Sequence, residues 1–255
     1  MISEELKKEI ISLAKKYETK DFLKKDPSQF MHKFSNPIDQ EIVALLSATM
    51  AFGNRIQINK HIELILNNMG TDLPHEWVQK KKYLTFFSKG DISFYRMYTH
   101  NDFILFFDTI FLMLKESVTI GQYIKKKICL NSSNCTPICI QICNLFPENC
   151  HLIPHSKTTA AKRINMFLRW MVRDNSPVDL GLWASWIDKK NLLMPLDTHV
   201  MQQSTKFSLI KPSSSGKVRS ATLKTAIELT ETMKEIFPSD PLEADFALFS
   251  LGVNK

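Results

Sequence analysis

The chain has 255 residues, of which 44% are hydrophobic and only seven are glycine. This composition excludes a disordered protein, because there are enough apolar side chains to form a core. The scarcity of glycine argues against P-loop, Rossmann and all-β architectures, whose tight turns need positive φ angles. The formal net charge of +7 is compatible with a polyanionic partner such as nucleic acid, although charge alone does not identify one.

Apolar residues recur at helical spacing along almost the whole chain, so we predict an all-α fold, an irregular multi-helix globule. The length suits one large domain or two small lobes around a shared groove, and we treat residues 1–255 as a single helical domain. The predicted helices span residues 2–17, 38–52, 55–69, 101–117, 119–129, 136–146, 158–173, 198–208, 218–236 and 240–251.

Local signals support several of these boundaries. Asn36 and Pro37 open the second helix, and Gly53 and Gly70 follow the second and third helices as C-terminal stops do. Residues 211–217 are polar and contain both proline and glycine, so we expect an exposed, flexible loop there. No stretch approaches the ~20 apolar residues of a membrane span, and the amphipathic N-terminus is unlike a signal peptide. We therefore expect a cytoplasmic protein with no membrane partner.

All five cysteines lie in one segment, at Cys129, Cys135, Cys139, Cys143 and Cys150. An odd count in a chain of this kind argues against a disulfide framework. The paired Cys-x-x-Cys spacing typical of zinc sites is absent, and Cys139 and Cys143 share one apolar helical face. We expect these cysteines to pack as small hydrophobic residues rather than to bind a metal.

The helix predicted over residues 158–173 combines an apolar stripe with basic residues. Ile164, Phe167, Leu168 and Met171 lie at i, i+3, i+4 and i+7, so this face should pack against the core. Lys162 lies near the start of the helix, where free backbone N–H groups and the helix dipole favour an anion. The simpler interpretation is that the basic residues form a solvated helix face.

A second informative stretch is Leu-Met-Pro-Leu-Asp-Thr-His-Val, residues 193–200. Its apolar residues should bring the chain into the interior, and Asp197 follows directly, at the start of the next helix. Asp197 is therefore either an ordinary N-cap or a functional carboxylate, and N-capping aspartates are much the commoner of the two.

Taken together, the two stretches resemble the helix-hairpin-helix DNA glycosylases, in which a lysine nucleophile precedes a Leu-Asp-x-His type motif. The helix around residues 162–173, the Pro-Leu-Asp-Thr-His motif, the closing segment 240–252 and the early helix 41–50 look like a bacterial branch of that superfamily. The 35-residue separation of Lys162 and Asp197 is most similar to the archaeal-type 8-oxoguanine glycosylases.

The resemblance implies two helical lobes flanking a DNA-binding cleft, with Lys162 and Asp197 as the catalytic residues. It implies base excision with AP lyase activity on duplex DNA containing a damaged base, an oxidised purine such as 8-oxoguanine, by a monomer that needs no metal or cofactor. The expected phosphate contacts are His199, Lys157, Arg163 and Arg169. A base flipped out of the duplex needs apolar or aromatic walls, and the candidates are Trp170, Trp183, Trp186 and Phe246.

Three alternatives stay open. In a monofunctional glycosylase, Lys162 would contact phosphate and Asp197 would activate water. A non-catalytic nucleic-acid-binding protein on the same scaffold would bind DNA with a steep salt dependence but release no base. A helical interaction protein with no nucleic-acid role would have its basic residues scattered evenly over its surface.

Overall fold

The computed structural model describes residues 2–129, 136–156, 158–213 and 216–253. The fold is mostly helical, so the all-α prediction is confirmed. In chain order the α-helices are α1 (Glu4–Tyr17), α2 (Lys20–Leu23), α3 (Pro37–Met50), α4 (Arg55–Met69), α5 (Pro74–Gln79), α6 (Tyr83–Phe86), α7 (His100–Glu116), α8 (Ile120–Lys127), α9 (Ile138–Cys143), α10 (Lys162–Val172), α11 (Thr198–Lys206), α12 (Leu223–Lys234) and α13 (Glu243–Val253).

Short elements complete the fold. Two 3-10 helices span Pro27–Lys33 and Lys189–Asn191. Within the described residues, the named strands are β1 (Ser93–Tyr95) and β2 (Tyr98–Thr99), which pair antiparallel as a small hairpin. An isolated antiparallel bridge joins Thr159 to Thr222.

Every predicted helical segment contains a helix, but some helices begin later than the apolar pattern suggested. The clearest case is α10, which begins at Lys162 rather than at residue 158, because Ala161 adopts a left-handed conformation (φ 44°, ψ 41°) that ends the preceding turn. Likewise α12 begins at Leu223 rather than at residue 218, because the side chain of Thr222 caps its first turn.

The chain divides into two compact units. The terminal unit combines residues 1–24 with 156–255, and the central unit comprises residues 25–155. The core of the central unit is built around α3, in which every residue from Glu41 to Met50 is buried. The carboxylate of Glu41 is accommodated there because it accepts a hydrogen bond from the backbone N–H of Gly121 at the start of α8 (2.9 Å).

In the terminal unit, α10 is a buried helix, with every residue from Ile164 to Val172 removed from solvent. The loop that follows returns to satisfy its last carbonyl groups, since the N–H groups of Leu180 and Trp183 donate to the carbonyl oxygens of Trp170 and Met171 (2.7 Å each). Gly181 permits this close return: its φ is +67°, and a Cβ placed on it would lie 2.9 Å from Cα of Asp174.

Arg169 on α10 and Arg173, directly after the last residue of the helix, enter this core and are neutralised by carboxylates from other elements. We call this cluster the arginine network, and it consists of Arg169, Arg173, Glu18, Asp179, Asp240 and Asp245. Arg173 contacts Asp240 (Nε–Oδ2 2.8 Å) and Glu18 (Nη1–Oε1 2.8 Å). Both arginines are almost fully buried, so these contacts replace the water that the guanidinium groups lose on folding.

Other sequence expectations have mixed outcomes in the structure. Cys139, Cys143 and Cys150 are buried, as packing residues would be, but the expectation is wrong for Cys129, which is exposed. Cys135 lies outside the described residues. No cluster of three or more histidine, cysteine or acidic side chains is placed to hold a metal within the described ranges. None of the helices in that part of the chain is long and apolar enough to cross a membrane. Part of the predicted loop 211–217 is described, but residues 214 and 215 lie outside the described residues.

The arginine network should contribute strongly to stability. Replacing Arg173 with methionine removes the main counterion of the buried Asp240 and one of the two arginine partners of the buried Asp179, and we expect the free energy of unfolding to fall by about 3–5 kcal/mol. The matched control is Lys234→Met, which removes an exposed ion pair with Glu231 and should cost less than about 1 kcal/mol. Urea unfolding of both variants checks this, and equal losses would show that the network adds no more than a surface pair.

Candidate active site

Lys162 is the first residue of α10, and hydrogen bonds fix the turn before it. The hydroxyl of Thr159 accepts from the N–H of Ala161 (3.1 Å), and the buried side chain of Asn165 donates to the carbonyl of Ala160 (2.8 Å). The N–H of Leu223 donates to the carbonyl of Thr158 (2.9 Å), which ties the turn to the start of α12. The Lys162 side chain extends from this fixed turn and keeps 28% of its surface exposed.

Asp197 is fixed at the start of α11. The extended segment before it is buried at Met194 and Leu196, and the N–H of Met194 donates to the hydroxyl of Thr230 on α12 (2.9 Å). The Oδ1 atom of Asp197 then accepts from the N–H of Val200 (2.8 Å), so the aspartate is an N-cap. One carboxylate oxygen is used for the cap, and the other is available for a second partner.

That second partner is Lys162. Nζ of Lys162 lies 3.8 Å from Oδ2 of Asp197, although 35 positions separate the two residues in the sequence. The Asp197 side chain is 17% exposed, so both members of the pair are partly shielded but reachable from solvent. The two stretches singled out in the sequence therefore meet in the terminal unit, and Asp197 is a cap and an ion-pair partner at once.

Helix α13 packs against the first turn of α11 next to this pair. His199 lies edge-on to Phe249, with ring centroids 6.2 Å apart. A Cβ added to Gly252 would lie 2.5 Å from Cβ of His199, so only glycine allows this approach of the two helices. The Nδ1 atom of His199 is buried and has no hydrogen-bond partner among the described residues. The expected phosphate contact of this histidine stays a prediction.

Asp245 on α13 is a third carboxylate close to the pair. It is 6% exposed and accepts a hydrogen bond from Nη1 of Arg169. The pKa of Asp245 is raised to about 6: burial is the largest cause, the negative charge of Asp197 raises it as well, and the positive charges of Arg169 and Lys162 offset part of the increase. Asp245 therefore lies within the electrostatic environment of both Lys162 and Asp197.

The other expected phosphate contacts have different placements. Arg163 is half-buried at the start of α10, and Lys157 lies outside the described residues. The expectation for Arg169 is corrected, because its side chain is 3% exposed and pairs with Asp179 (Nε–Oδ1 3.2 Å) and Asp245. A guanidinium group enclosed by two carboxylates presents no surface to a phosphate. The sequence could not exclude Arg169 as a phosphate contact, because an arginine buried against carboxylates and a solvent-exposed arginine can occupy the same position in a helical sequence pattern.

The aromatic residues expected around a base are mostly core residues. Trp170, Trp183 and Phe246 are each 0–1% exposed, which corrects their assignment to a base pocket. Phe246 packs its ring against the Arg169 guanidinium group, 4.4 Å from the ring centroid. The sequence does not distinguish the two cases, because a large aromatic residue at helical spacing can either pack in the core or line a pocket.

Trp186 is partly exposed and lines a cavity of about 420 Å³. The cavity is bounded by Val172, Asp174, Ala184, Ser185, Trp186, Ile187, Asp188 and Lys189. Val172 is ten residues beyond Lys162 on α10, a distance of about 15 Å at 1.5 Å per residue. This cavity is therefore at the opposite end of α10 from the lysine–aspartate pair.

Comparison with known proteins identifies a family whose function is unknown. The model of the family described as a protein of unknown function (DUF2400) matches residues 26–254. The chain belongs to the DUF2400 family. No curated protein matches the chain, and no solved structure does. The matched range covers almost the whole chain and includes Lys162, Asp197 and Asp245.

Sequence reasoning missed three residues that shape the site: Ala161, Asp245 and Gly252. Ala161 carries no sequence signal, because a left-handed alanine is uncommon. Asp245 did carry one, since it is an acidic residue between Ala244 and Phe246 in a helix that is otherwise almost wholly apolar. A charge in such a helix must find a buried partner, but the sequence does not reveal that the partner is Arg169.

The capping and pairing roles of Asp197 can be separated by mutation. Asparagine is as good an N-cap as aspartate, whereas alanine loses the cap at a cost of about 1 kcal/mol. We therefore expect Asp197→Ala to be less stable than Asp197→Asn by that amount in urea unfolding. Equal stabilities would mean that the bond to Val200 contributes nothing, and Asp197→Asn could then not serve as a structurally neutral variant.

The raised pKa of Asp245 predicts a pH-dependent stability. The folded protein binds this proton more tightly than the unfolded chain does, so the stabilisation is complete below about pH 4 and is lost as the pH rises through about 6. Asp245→Asn cannot titrate. The difference in unfolding free energy between the wild type and this variant should change by roughly 3 kcal/mol from pH 4 to pH 7. Urea midpoints across this range test it, and parallel pH curves would contradict it.

Proposed function

We propose that the protein is a DNA glycosylase with AP lyase activity, which excises a flipped-out damaged base, an oxidised purine such as 8-oxoguanine, through a Schiff base on Lys162. The supporting observation is the 3.8 Å separation of Nζ of Lys162 from Oδ2 of Asp197, with both side chains partly exposed. The resemblance of the two motifs to the helix-hairpin-helix glycosylases selects this chemistry among those that a lysine and a carboxylate can perform.

The reaction makes demands that this pair can meet. As the C1′–N bond breaks, its electron pair leaves with the base and positive charge develops on the sugar. The carboxylate of Asp197 stabilises that charge from a fixed position, because its other oxygen is held by the N–H of Val200. The Lys162 ammonium group first gives a proton to water. Its free amine then forms a bond to C1′, and the nitrogen passes one further proton to the departing base.

The lyase step follows from the covalent intermediate. Opening of the sugar ring breaks the C1′–O4′ bond, and O4′ keeps the electron pair and takes a proton from water. The lysine nitrogen and C1′ are then joined as an iminium ion, which acidifies the protons on C2′. Loss of one C2′ proton expels the 3′ phosphate by β-elimination, and water then releases the lysine. The chain supplies the amine and the carboxylate, and the other atoms that react belong to the substrate and to water.

Duplex DNA is the partner that fits this chemistry. The net charge of +7 favours a polyanion, and the position of Lys162 at the start of α10 adds the positive end of a helix dipole next to the reacting sugar. The target base must leave the duplex to reach the amine. In this proposal the protein acts as a cytoplasmic monomer.

Borohydride trapping on duplexes that carry single lesions tests the proposal. The wild type should release the base from at least one lesion and form a covalent adduct with DNA. Lys162→Ala should form no adduct, and Asp197→Asn should lose about 10²–10³-fold in the rate of base release, because the carboxylate that stabilises the transition state is gone. DNA binding by Asp197→Asn should stay within a few-fold of the wild type.

The matched control is Lys206→Ala, which removes an exposed lysine from the end of α11 and should leave adduct formation intact. An adduct that persists in Lys162→Ala would overturn the assignment of the nucleophile. Base release without any adduct would support a monofunctional glycosylase in place of the lyase. DNA binding without base release across the whole lesion panel would indicate a non-catalytic nucleic-acid-binding protein.

A further inference from the structure

Asp245 is a buried carboxylate that the proposed chemistry does not use, and it lies on the face of α13 that meets the site. Asp245, Phe249 and Gly252 are spaced i, i+4 and i+7, so they share one face of the helix. Phe249 and Gly252 contact His199, two residues after Asp197. The face that carries Asp245 is therefore directed at the start of α11.

Helix α10 places a second constraint on Asp245. Lys162 and Arg169 are seven residues apart, which is close to two full turns, so they also share one helix face. Arg169 is the direct partner of Asp245, and its guanidinium group is held on the other side by Asp179. Asp245 thus connects the helix that carries the candidate nucleophile to the helix that packs on the Asp197 cap.

We propose that Asp245 is a positioning residue of the Lys162–Asp197 site, which acts through Arg169 and through its own negative charge next to the pair. This inference rests on the proposed function. Through the Arg169 contact, Asp245 fixes α10 against α13 and thereby the base of the Lys162 side chain. Its charge adds to that of Asp197, so the site presents two carboxylates to the positive charge that develops on the sugar.

The charge of Asp245 depends on pH within the physiological range. The charged groups that face it are Arg169 and Lys162 on α10 and Asp197 at the start of α11. His199 on α11 contacts Phe249, one turn after Asp245 on α13. Because burial raises the pKa of Asp245 to about 6, the second carboxylate is present at pH 7.5 and is neutralised below pH 6. Base release should therefore decline on the acidic side with a midpoint set by Asp245.

Asp245→Asn tests the inference, and Asp240→Asn is the matched control. Asp240 is another buried carboxylate of the arginine network, but it pairs with Arg173, near the far end of α10 from Lys162. We expect Asp245→Asn to release base about tenfold more slowly at pH 7.5 with unchanged DNA affinity, and to lose the acidic decline seen between pH 7.5 and 5. Asp240→Asn should keep that decline, and Asp245→Glu should restore it.

A second readout does not need enzymatic activity. Labelling of lysine amines by an acylating reagent, quantified peptide by peptide with mass spectrometry, reports the reactivity of Lys162 relative to the exposed Lys206. Asp245→Asn removes a negative charge from the surroundings of the Lys162 amine, so this ratio should rise several-fold at pH 7.5. Asp240→Asn should leave the ratio at its wild-type value.

The outcomes are distinguishable. If Asp245→Asn matches Asp240→Asn in the labelling ratio, and in the pH profile where base is released, Asp245 is only a structural residue and the inference is overturned. If the wild type releases no base, the proposed function fails, while the labelling ratio still decides the role of Asp245. If Asp245→Asn does not fold, the test uses the wild type alone. Protonation of Asp245 removes its charge as the substitution would, so the labelling of Lys162 relative to Lys206 should increase as the pH falls through about 6. A ratio that does not change with pH would overturn the inference.

Discussion

The ion pair between Lys162 and Asp197 is the interaction on which our account of this protein depends. Neither residue is held by the pair itself. Lys162 is placed by a turn that Thr159 and Asn165 fix before α10, and Asp197 is placed by its hydrogen bond to the first turn of α11. Two helix starts, distant in sequence, therefore bring an amine and a carboxylate within 3.8 Å. A geometry set by backbone is preorganised, which is what stabilisation of a transition-state charge requires.

The arginine network explains why α10 can carry charge on both its exposed and its buried parts. Two buried guanidinium groups face four carboxylates in the terminal unit, of which Asp179, Asp240 and Asp245 are buried. The fold tolerates this excess of carboxylates because burial raises the pKa values of Asp240 and Asp245. A raised pKa favours the protonated, uncharged carboxyl group and so reduces the negative charge of the network. Asp245 belongs both to this network and to the surroundings of the pair, so the stability of the core and the electrostatics of the site are coupled there.

The sequence predicted the positions of the long helices well, but it predicted correctly only some of the side chains that are buried and some that are exposed. Apolar periodicity located the long helices because a buried stripe repeats at a fixed spacing, but it missed α2, α5, α6 and the β1–β2 hairpin, which are too short to show a period. Lys162 and Asp197 were selected by motif resemblance. Arg169 and Trp170 were misassigned because α10 is buried on nearly all sides, and a sequence does not show which arginines meet a carboxylate from a distant segment.

The most direct test of the central claim is to identify the residue that becomes bonded to DNA. Wild-type protein is incubated with a duplex that contains 8-oxoguanine or an abasic site, reduced with borohydride and digested, and the modified peptide is sequenced by mass spectrometry. Our account predicts a single sugar adduct on Nζ of Lys162. An adduct on another lysine or on the N-terminal amine, with Lys162 unmodified, would contradict it.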